Sequence, residues 1–363
     1  MARPNTPDYR SLFLNNVPMF DTRAPVEFEK GSFPNAINLP LMLDDERAKV
    51  GTCYKQQGQE AAIELGHKLV CGDIKDERVA KWKAFCEANP EGYLFCFRGG
   101  MRSQITQQWI KDAGIDYPYV VGGYKAMRRF LIDTLDDMAN NRKMFVVGGN
   151  TGNGKTIMVR EIPNGLDLEG AAHHRGSSFG RFVTPQRGQI DFENALAINA
   201  LKLDETGCQT IVTEDEGRII GSANVPLSVY NAMQTAPIAV IEDPFDVRLQ
   251  RLIDEYVILM HNQHTAHEGE EEGWNGFCDY LHQGLFRCRK RLGAERYQEI
   301  EDALTIALDE HLRTGDTHAH ERWLSPLLEH YYDPMYTYQL SKKADRIVFR
   351  GNYAEVKAFL AEQ

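Results

Sequence analysis

Two glycine-rich stretches of this sequence carry residues that can do chemistry, and the first is built around a cysteine. Cys96 follows the apolar residues 93–95 and precedes the run RGGMR at 98–102. Backbone amides, the positive end of a following helix and two guanidinium groups all stabilise a thiolate over a thiol. We therefore predict that Cys96 is a catalytic nucleophile in an anion-binding loop, assisted by Arg98 and Arg102. The alternative is an ordinary buried cysteine at the end of a strand.

The second stretch is the run GNTGNGKT at 149–156, which fits the spacing G-x-x-x-x-G-K-[ST] of a P-loop. An apolar run before it predicts a strand and the residues after it open a helix, which is the setting that this motif requires. Its glycines let backbone N–H groups surround a diphosphate, and its hydroxyl is suited to Mg²⁺. The predicted diphosphate site consists of Gly149, Gly152, Gly154, Lys155 and Thr156, with Mg²⁺ on Thr156.

The P-loop pattern leaves its acidic partner open. Asp215 and Asp243 each follow an apolar run, and either can serve as the carboxylate at the end of a neighbouring strand. The Gly/Ser-rich segment 167–180 supplies three candidates for contact with an anionic or base-containing substrate, namely His173, His174 and Arg175. The alternative for this segment is a solvated connection.

The order of apolar runs and turn residues predicts the elements that position these loops. Strands alternate with helices in the N-terminal third, which predicts a mostly parallel sheet covered on both faces, with Cys96 at a strand's carboxyl end. Ser103 is the expected N-cap of the next helix. A polar segment at 136–142 precedes a new apolar strand, so we place an N-terminal domain at 1–139 and a P-loop α/β domain with a largely helical C-terminal part at 140–363.

Composition limits the function classes. The chain of 363 residues is 42% hydrophobic and 26% charged and has no apolar run of membrane-spanning length. Its seven scattered cysteines form no Cys-x-x-Cys pair, which argues against a disulfide framework or a zinc ribbon. We expect a cytoplasmic protein without a secretion signal, a membrane partner or a tightly bound cofactor.

The net charge of -11 does not attract nucleic acid, so RNA contact would need local basic patches. Two such patches and one residue of an aromatic run at 331–338 are the RNA-binding candidates: Arg287, Arg289, Lys290, Arg291, Lys342, Lys343 and Tyr336. The alternative is a solvated helix face beside a tyrosine-lined core.

The N-terminal motif D-x-R-x-x-x-E-F-x-x-G-x-x-P-x-A-I-N-L-P at 21–40, the Cys96 loop and the run VGG at 121–123 together resemble a rhodanese domain. The resemblance covers residues 8–138, and rhodaneses carry transferable sulfur on the loop cysteine. The Cys-x5-Arg spacing here instead resembles that of phosphatases of the same fold. The resemblance therefore leaves open whether the Cys96 loop receives sulfur, selenium or a phosphate ester. The polar stretch 50–58, with Cys53, is an insertion relative to a plain rhodanese and is interpreted as a lid, a second thiol or a surface loop.

A rhodanese-like domain followed by a P-loop domain resembles the tRNA 2-selenouridine synthase family of wobble-uridine modification enzymes. Matching stretches include GTCYKQQG at 51–58, LEG at 168–170, HRGS at 174–177, EDPF at 242–245 and YDPMY at 332–336. The resemblance implies that the sulfur of 2-thiouridine in tRNAs for Lys, Glu and Gln is replaced by selenium from selenophosphate. It also implies an S-geranylated intermediate made from geranyl diphosphate, and a partner enzyme that supplies selenophosphate.

Two other functions stay open at the level of sequence. One is a nucleotide-dependent sulfurtransferase or kinase acting on RNA, in which the P-loop would bind a nucleotide. The other is a non-catalytic RNA-binding regulator with a vestigial Cys96 loop.

Overall fold

The structure, a computed structural model, describes residues 3–363. The chain divides into two compact units. The first runs to Leu135 and includes Gly188–Lys202, and the second consists of Asp136–Arg187 and Leu203–Gln363. The predicted α/β class with parallel sheets and a largely helical C-terminal part is confirmed.

The first unit contains a parallel sheet with strand order β2-β1-β3. Its elements are α1 Tyr9–Leu14, β1 Met19–Asp21, α2 Pro25–Glu29, β2 Ala36–Asn38, α3 Asp44–Gln57, α4 Gln59–Leu69, α5 Gly72–Ala88, β3 Tyr93–Phe95, α6 Met101–Asp112 and α7 Gly123–Asn141. Phe20 pairs with Ile37 on one side and with Leu94 on the other. Helices α5 and α6 bury Trp82, Trp109 and Ile110 against this sheet, so β3 delivers Cys96 from a packed core.

Two local expectations for this unit are wrong. Helix α6 begins at Met101 after Gly100, so Ser103 lies inside the first turn and does not cap the helix. The backbone has already turned at Gly99, where φ is +62°, and so becomes helical sooner than the serine suggests. The polar stretch 50–58 is not a surface loop, because 50–57 lie in α3 with Cys53 buried, and only Gly58 (φ +86°) breaks the helix.

The second unit contains a four-stranded parallel sheet with order β5-β4-β8-β9, in which the P-loop follows the interior strand β4. Its strands are β4 Lys143–Gly149, β5 Thr210–Glu214, β6 Ile219–Ile220, β7 Ala223–Asn224, β8 Ile238–Ile241 and β9 Ile347–Gly351. Its helices, with α10 shared between the units, are α8 Lys155–Glu161, α9 Leu168–Ala172, α10 Gln189–Glu205, α11 Leu227–Thr235, α12 Phe245–Leu252, α13 Leu259–Glu268, α14 Glu270–Leu292, α15 Ala294–Thr314, α16 Glu321–Leu327, α17 Asp333–Ser341 and α18 Tyr353–Ala361.

Two π-helical turns interrupt the long helices of this unit. Ile253–Ile258 joins α12 to α13, and Leu328–Tyr332 joins α16 to α17. Such turns hold an extra residue per turn and are frequent at functional sites, because they redirect side chains. Here Glu255 lies in the first of them and lines the cavity of the P-loop, which Tyr336 also lines from the helix after the second.

Among residues 3–363, no helix combines the length and the apolar character needed to cross a bilayer.

Candidate functional site

The Cys96 loop is held from outside by the start of α7. The amide of Tyr124 donates to the carbonyl of Cys96 at 2.8 Å, and the amide of Lys125 donates to the carbonyl of Phe97 at 2.9 Å. Within the part of the chain that the structure describes, no amide of residues 98–103 donates a hydrogen bond. The loop therefore offers a set of unpaired N–H donors beside a buried thiol, as an anion-binding nest requires.

Glycines make this close packing of loop against loop feasible. Gly99 and Gly123 have φ of +62° and +59°, in the left-handed region that side chains disfavour. A Cβ on Gly99 would lie 2.7 Å from the amide nitrogen of Gly122, and one on Gly123 would lie 2.2 Å from the carbonyl oxygen of Cys96. The nest thus depends on Gly99 and on the VGG run further along the chain.

Arg102 is held by Glu27 in a two-pronged ion pair. Its Nη1 donates to Glu27 Oε2 at 2.7 Å and its Nη2 donates to Oε1 at 3.3 Å, while Arg47 Nε lies 3.2 Å from the same carboxylate. Burial disfavours the charged guanidinium, but the hydrogen bond to Glu27 and the neighbouring negative charges together outweigh burial and raise the pKa of Arg102. Arg98 is exposed at the loop edge, with its guanidinium 5.7 Å from the Phe97 ring.

Glu27 was not among the site residues predicted from the sequence, although it is the glutamate of the 21–40 motif. Ser103 was also misassigned. Its side chain is fully buried in the first turn of α6, and its Oγ has no hydrogen-bond partner within residues 3–363.

The P-loop has the backbone that its sequence pattern predicts. Gly149, Gly152 and Gly154 have φ of +137°, +82° and +73°. The Nζ of Lys155 donates to the carbonyl oxygens of Gly149 at 2.9 Å and Asn150 at 3.2 Å, which places the cation across the mouth of the loop. Burial lowers the pKa of Lys155, and neighbouring carboxylates oppose that change.

Glutamates, rather than the two predicted aspartates, line the P-loop cavity. Thr156 Oγ1 donates to Glu169, and Glu216 and Glu255 line the same cavity. Burial raises the pKa of Glu216, and the adjacent charge of Glu169 raises it further.

The two aspartates bind other groups. Asp215 accepts from Lys343 Nζ at 2.6 and 2.8 Å. Asp243 pairs with Arg251 and accepts from the amide of Tyr353 at 2.8 Å. Glu216 is one residue beyond Asp215, and no spacing rule in the sequence distinguished the two.

The donors at this cavity fit Mg²⁺ in part. A threonine hydroxyl and carboxylates are the hard oxygen ligands that Mg²⁺ prefers, and the ion commonly completes its shell with water and phosphate oxygens. In residues 3–363 no group of three His, Cys, Asp or Glu side chains has the spacing of an all-protein metal site. A magnesium ion here would therefore be held by Thr156 and Glu169 together with a bound diphosphate.

A second cavity, of about 670 Å³, adjoins the P-loop cavity and shares Gly176 and Ser177 with it. His173 and His174 line it, and Arg175 lines the P-loop side, so the structure brings these three predicted residues to one region. Arg181 and Gln186 also line this cavity, and neither was among the residues predicted from the sequence.

His174 is enclosed by two glycines. A Cβ on Gly180 would lie 2.5 Å from His174 Cε1, and one on Gly221 would lie 2.8 Å from Cδ2. Its Nδ1 has no hydrogen-bond partner among residues 3–363. Burial, with the charges of nearby arginines, lowers the pKa of His174 to about 4. The ring is therefore neutral at pH 7 and keeps a lone pair on one nitrogen.

Known proteins resemble this chain both over the P-loop region alone and over the full length. Residues 142–363 match the family model described as the tRNA 2-selenouridine synthase AAA domain. The chain is 61% identical to the tRNA 2-selenouridine synthase of Photobacterium profundum, over 100% of both chains. This chain belongs to the tRNA 2-selenouridine synthase family. The tRNA 2-selenouridine synthase of Serratia proteamaculans is 58% identical over 99% of this chain and 96% of its own. That of Pseudomonas syringae pv. tomato is 55% identical over 99% and 98%.

Membership of the tRNA 2-selenouridine synthase family confirms the predicted enzyme class.

The residues predicted to bind RNA in this tRNA 2-selenouridine synthase have different surroundings. Lys290 is exposed at the end of α14, between Arg289, which lies 3.5 Å from the Phe286 ring, and Arg291, whose Nη1 donates to Met335 Sδ at 2.7 Å.

The remaining RNA candidates lie nearer to the cavities or to other charges. Arg287 lines the 670 Å³ cavity and donates to the carbonyl of Ser178 at 2.8 Å. Tyr336 lines the P-loop cavity, where its ring lies 4.9 Å from Lys155 Nζ. Lys342 stacks on the Tyr338 ring at 4.2 Å, and Lys343 pairs with Asp215.

Two neighbouring glycines test the Cys96 nest. Gly99→Ala should slow alkylation of Cys96 at least tenfold and lower the thermal unfolding midpoint, since its Cβ lies 2.8 Å from the carbonyl of Val120 and φ is positive. Gly100→Ala is the matched control, because its Cβ meets nothing within 4 Å. Mass spectrometry of the alkylated Cys96 peptide measures the rate. Equal rates in the two variants would show that the close packing does not set the thiol's reactivity.

Proposed function

We propose that this chain replaces the sulfur of wobble 2-thiouridine in tRNA with selenium from selenophosphate, through an S-geranylated intermediate. The observation that supports this best is that one chain carries two glycine-rich loops suited to bind an anion, one beside the Cys96 thiol and one beside the Lys155 ammonium group. Membership of the tRNA 2-selenouridine synthase family supports tRNA as the substrate and selenophosphate as a co-substrate. The tRNAs for Lys, Glu and Gln, a selenophosphate-supplying partner and a cytoplasmic location are part of the proposal.

The first step belongs to the P-loop cavity. The sulfur of 2-thiouridine attacks carbon 1 of geranyl diphosphate, the C–S bond forms, and the C–O bond to the diphosphate breaks. The amides of the loop and Lys155 stabilise the leaving diphosphate. Mg²⁺ on Thr156 and Glu169 supplies further neutralisation of that charge when it is bound.

The cavity around His174 is suited to the uridine that is alkylated. Alkylation of the sulfur turns the base into a cation that must lose its N3 proton. The neutral ring of His174, which lines this cavity, accepts this proton. Arg181 and Arg287, which line the same cavity, are placed for phosphates of the RNA backbone.

The second step belongs to the Cys96 nest. Selenium in selenophosphate is already at the selenide level, so forming an S–Se bond with Cys96 would need a two-electron oxidant that neither substrate supplies. The balanced route has selenium attack carbon 2 of the alkylated base, which expels the geranyl thiolate. The Cys96 thiolate then attacks phosphorus and breaks the P–Se bond, and water releases phosphate from the S-phosphocysteine. The Cys-x5-Arg spacing and the unpaired amides suit this phosphoryl transfer.

Cys96→Ser should abolish formation of 2-selenouridine and leave geranyl transfer within about twofold of the wild type, because the two steps use different loops. Mass spectrometry of wobble nucleosides after incubation with 2-thiouridine tRNA, geranyl diphosphate and selenophosphate measures both products. Cys71→Ser, a change at an exposed free thiol of the same unit, is the control and should retain both activities. Loss of geranyl transfer in Cys96→Ser would refute the division between the loops.

Lys155→Ala should weaken binding of geranyl diphosphate by about tenfold to a hundredfold and slow geranyl transfer, since a charged hydrogen bond contributes about 1.5–3 kcal/mol. Lys143→Ala, at the exposed start of β4, the strand that precedes the P-loop, should change neither the affinity nor the rate. Calorimetric titration with geranyl diphosphate, alongside ATP and GTP, measures the affinities. Unchanged affinity for geranyl diphosphate, with lost affinity for a nucleotide, would favour a nucleotide-dependent enzyme instead.

Reversal of Arg289, Lys290 and Arg291 to Glu should weaken tRNA binding and flatten its salt dependence. Each lost phosphate contact removes about 0.9 from the slope of log affinity against log salt. Filter binding at several salt concentrations gives the slope, and Cys96 alkylation checks that the first unit is intact. A triple variant with the original affinity and slope would move the RNA surface to another part of the chain.

A further inference from the structure

We propose that an apolar cavity of about 310 Å³ beside the Cys96 loop binds the hydrocarbon chain of the leaving sulfur group during selenium incorporation. The proposal rests on the proposed function, because it requires an alkylated sulfur at carbon 2 of the uridine. It gives the hydrocarbon chain a binding site during selenium incorporation that is separate from the diphosphate site used for geranyl transfer.

The cavity adjoins the Cys96 loop at the start of α6. Met101 and Arg102, the first two residues of α6, line it, and Ile105 and Trp109 continue the same face of that helix. Arg102 thus belongs both to the Cys-x5-Arg loop and to the cavity wall. A group bonded to carbon 2 of a base at the nest therefore has an apolar space next to it.

The opposite wall comes from the insertion that the rhodanese resemblance leaves unexplained. Val50 and Tyr54 of α3 are four residues apart and so share one face of the helix, and both line the cavity. On α4, Ala62 and Ile63 line it one turn before Gly66. The polar residues of the 50–58 stretch read as a loop in the sequence, whereas the folded helix turns an apolar face to this cavity.

Gly66 of α4 lies opposite Val50 of α3 at the cavity, and both residues line it. A Cβ built on Gly66 would lie 3.9 Å from Val50 Cγ2, an ordinary van der Waals distance, so the side chain of Val50 packs towards α4 at this point. The helix pair therefore forms the far wall of the cavity.

The lining favours a hydrocarbon over a nucleotide or a second anion. Arg102, the lining residue with a permanent charge, already binds Glu27 through both of its terminal nitrogens, and the lining also includes the polar side chains of Gln59 and His67. Tyr54 and Met101 are 57% and 42% exposed, and a bound chain would remove their apolar surface from water. The volume lies at the lower end of the range of roughly 300–1,000 Å³ for small-molecule sites, which suits a short branched chain.

The chemical consequence is a preference for the alkylated substrate. A 2-thiouridine without a chain would leave the cavity unfilled, so its affinity at the nest would be lower. The chain also holds the departing sulfur away from the attacking selenium, since it anchors the leaving group on the α3–α4 side.

A substrate series on the full-length wild-type enzyme tests the site without any variant. Selenium incorporation from selenophosphate is measured with tRNA carrying S-geranyl-2-thiouridine or S-methyl-2-thiouridine at the wobble position. We expect kcat/KM to be at least tenfold higher for the geranyl substrate, mainly through a lower KM. Equal values for the two substrates would overturn the proposal. If the wild type forms no 2-selenouridine from the S-geranyl tRNA, the intermediate itself is wrong and the cavity loses its ligand.

A cavity-filling variant locates the effect. Ala62→Trp should raise KM for the S-geranyl substrate at least tenfold, reduce the preference over S-methyl to near unity, and leave geranyl transfer from geranyl diphosphate unchanged. Glu64→Trp places the same side chain on the exposed face of α4 and should behave as the wild type. If the tryptophan prevents folding, Ala62→Leu replaces it as the test variant and should raise KM for the S-geranyl substrate by a smaller factor. Retention of the full geranyl preference in a folded Ala62 variant would overturn the proposal.

Discussion

Both candidate anion sites depend on one constraint, namely that backbone amides can bind an anion only where nothing else in the chain uses them. In the first unit this is achieved because the start of α7 binds the carbonyls of Cys96 and Phe97 and leaves the amides of the loop facing the other way. In the second unit the same result comes from three positive-φ glycines of the P-loop. Side chains would block both arrangements, since a Cβ on Gly123 or Gly152 meets backbone atoms at 2.2 and 2.6 Å.

Charge burial around the P-loop follows from that constraint. Lys155 is drawn to the carbonyls of Gly149 and Asn150, and burial disfavours its charge, whereas Glu169 and Glu216 nearby favour it. The same burial raises the pKa of both glutamates, because desolvation disfavours the charged carboxylate. A magnesium ion at Thr156 and Glu169 would oppose that change by favouring the carboxylate.

The proposed chemistry uses the two nests in complementary ways. A diphosphate leaves at one, and a phosphoryl group is removed from selenium at the other, so both sites stabilise phosphate charge. The proposed role of the apolar cavity next to Cys96 connects the two steps. The hydrocarbon chain that is added to the uridine sulfur in the first step is the group that this cavity binds in the second. Alkylation then serves both as activation of carbon 2 and as a label for selection.

Sequence alone identified the Cys96 loop, the P-loop, the α/β class and the family, because these depend on glycine spacing and on short-range strand–loop–helix order. It failed where tertiary contacts decide. Ser103 looked like a helix cap but is buried, and the polar 50–58 stretch looked like a loop, whereas residues 50–57 lie in α3 and Val50 and Tyr54 line a cavity. Glu216 lies next to Gly176, and Gly221 lies next to His174. In both pairs the two residues are about 40 or more positions apart in the sequence, so no local pattern reveals the contact. Local patterns predict which backbone can form, whereas only packing in three dimensions determines which side chains share a cavity.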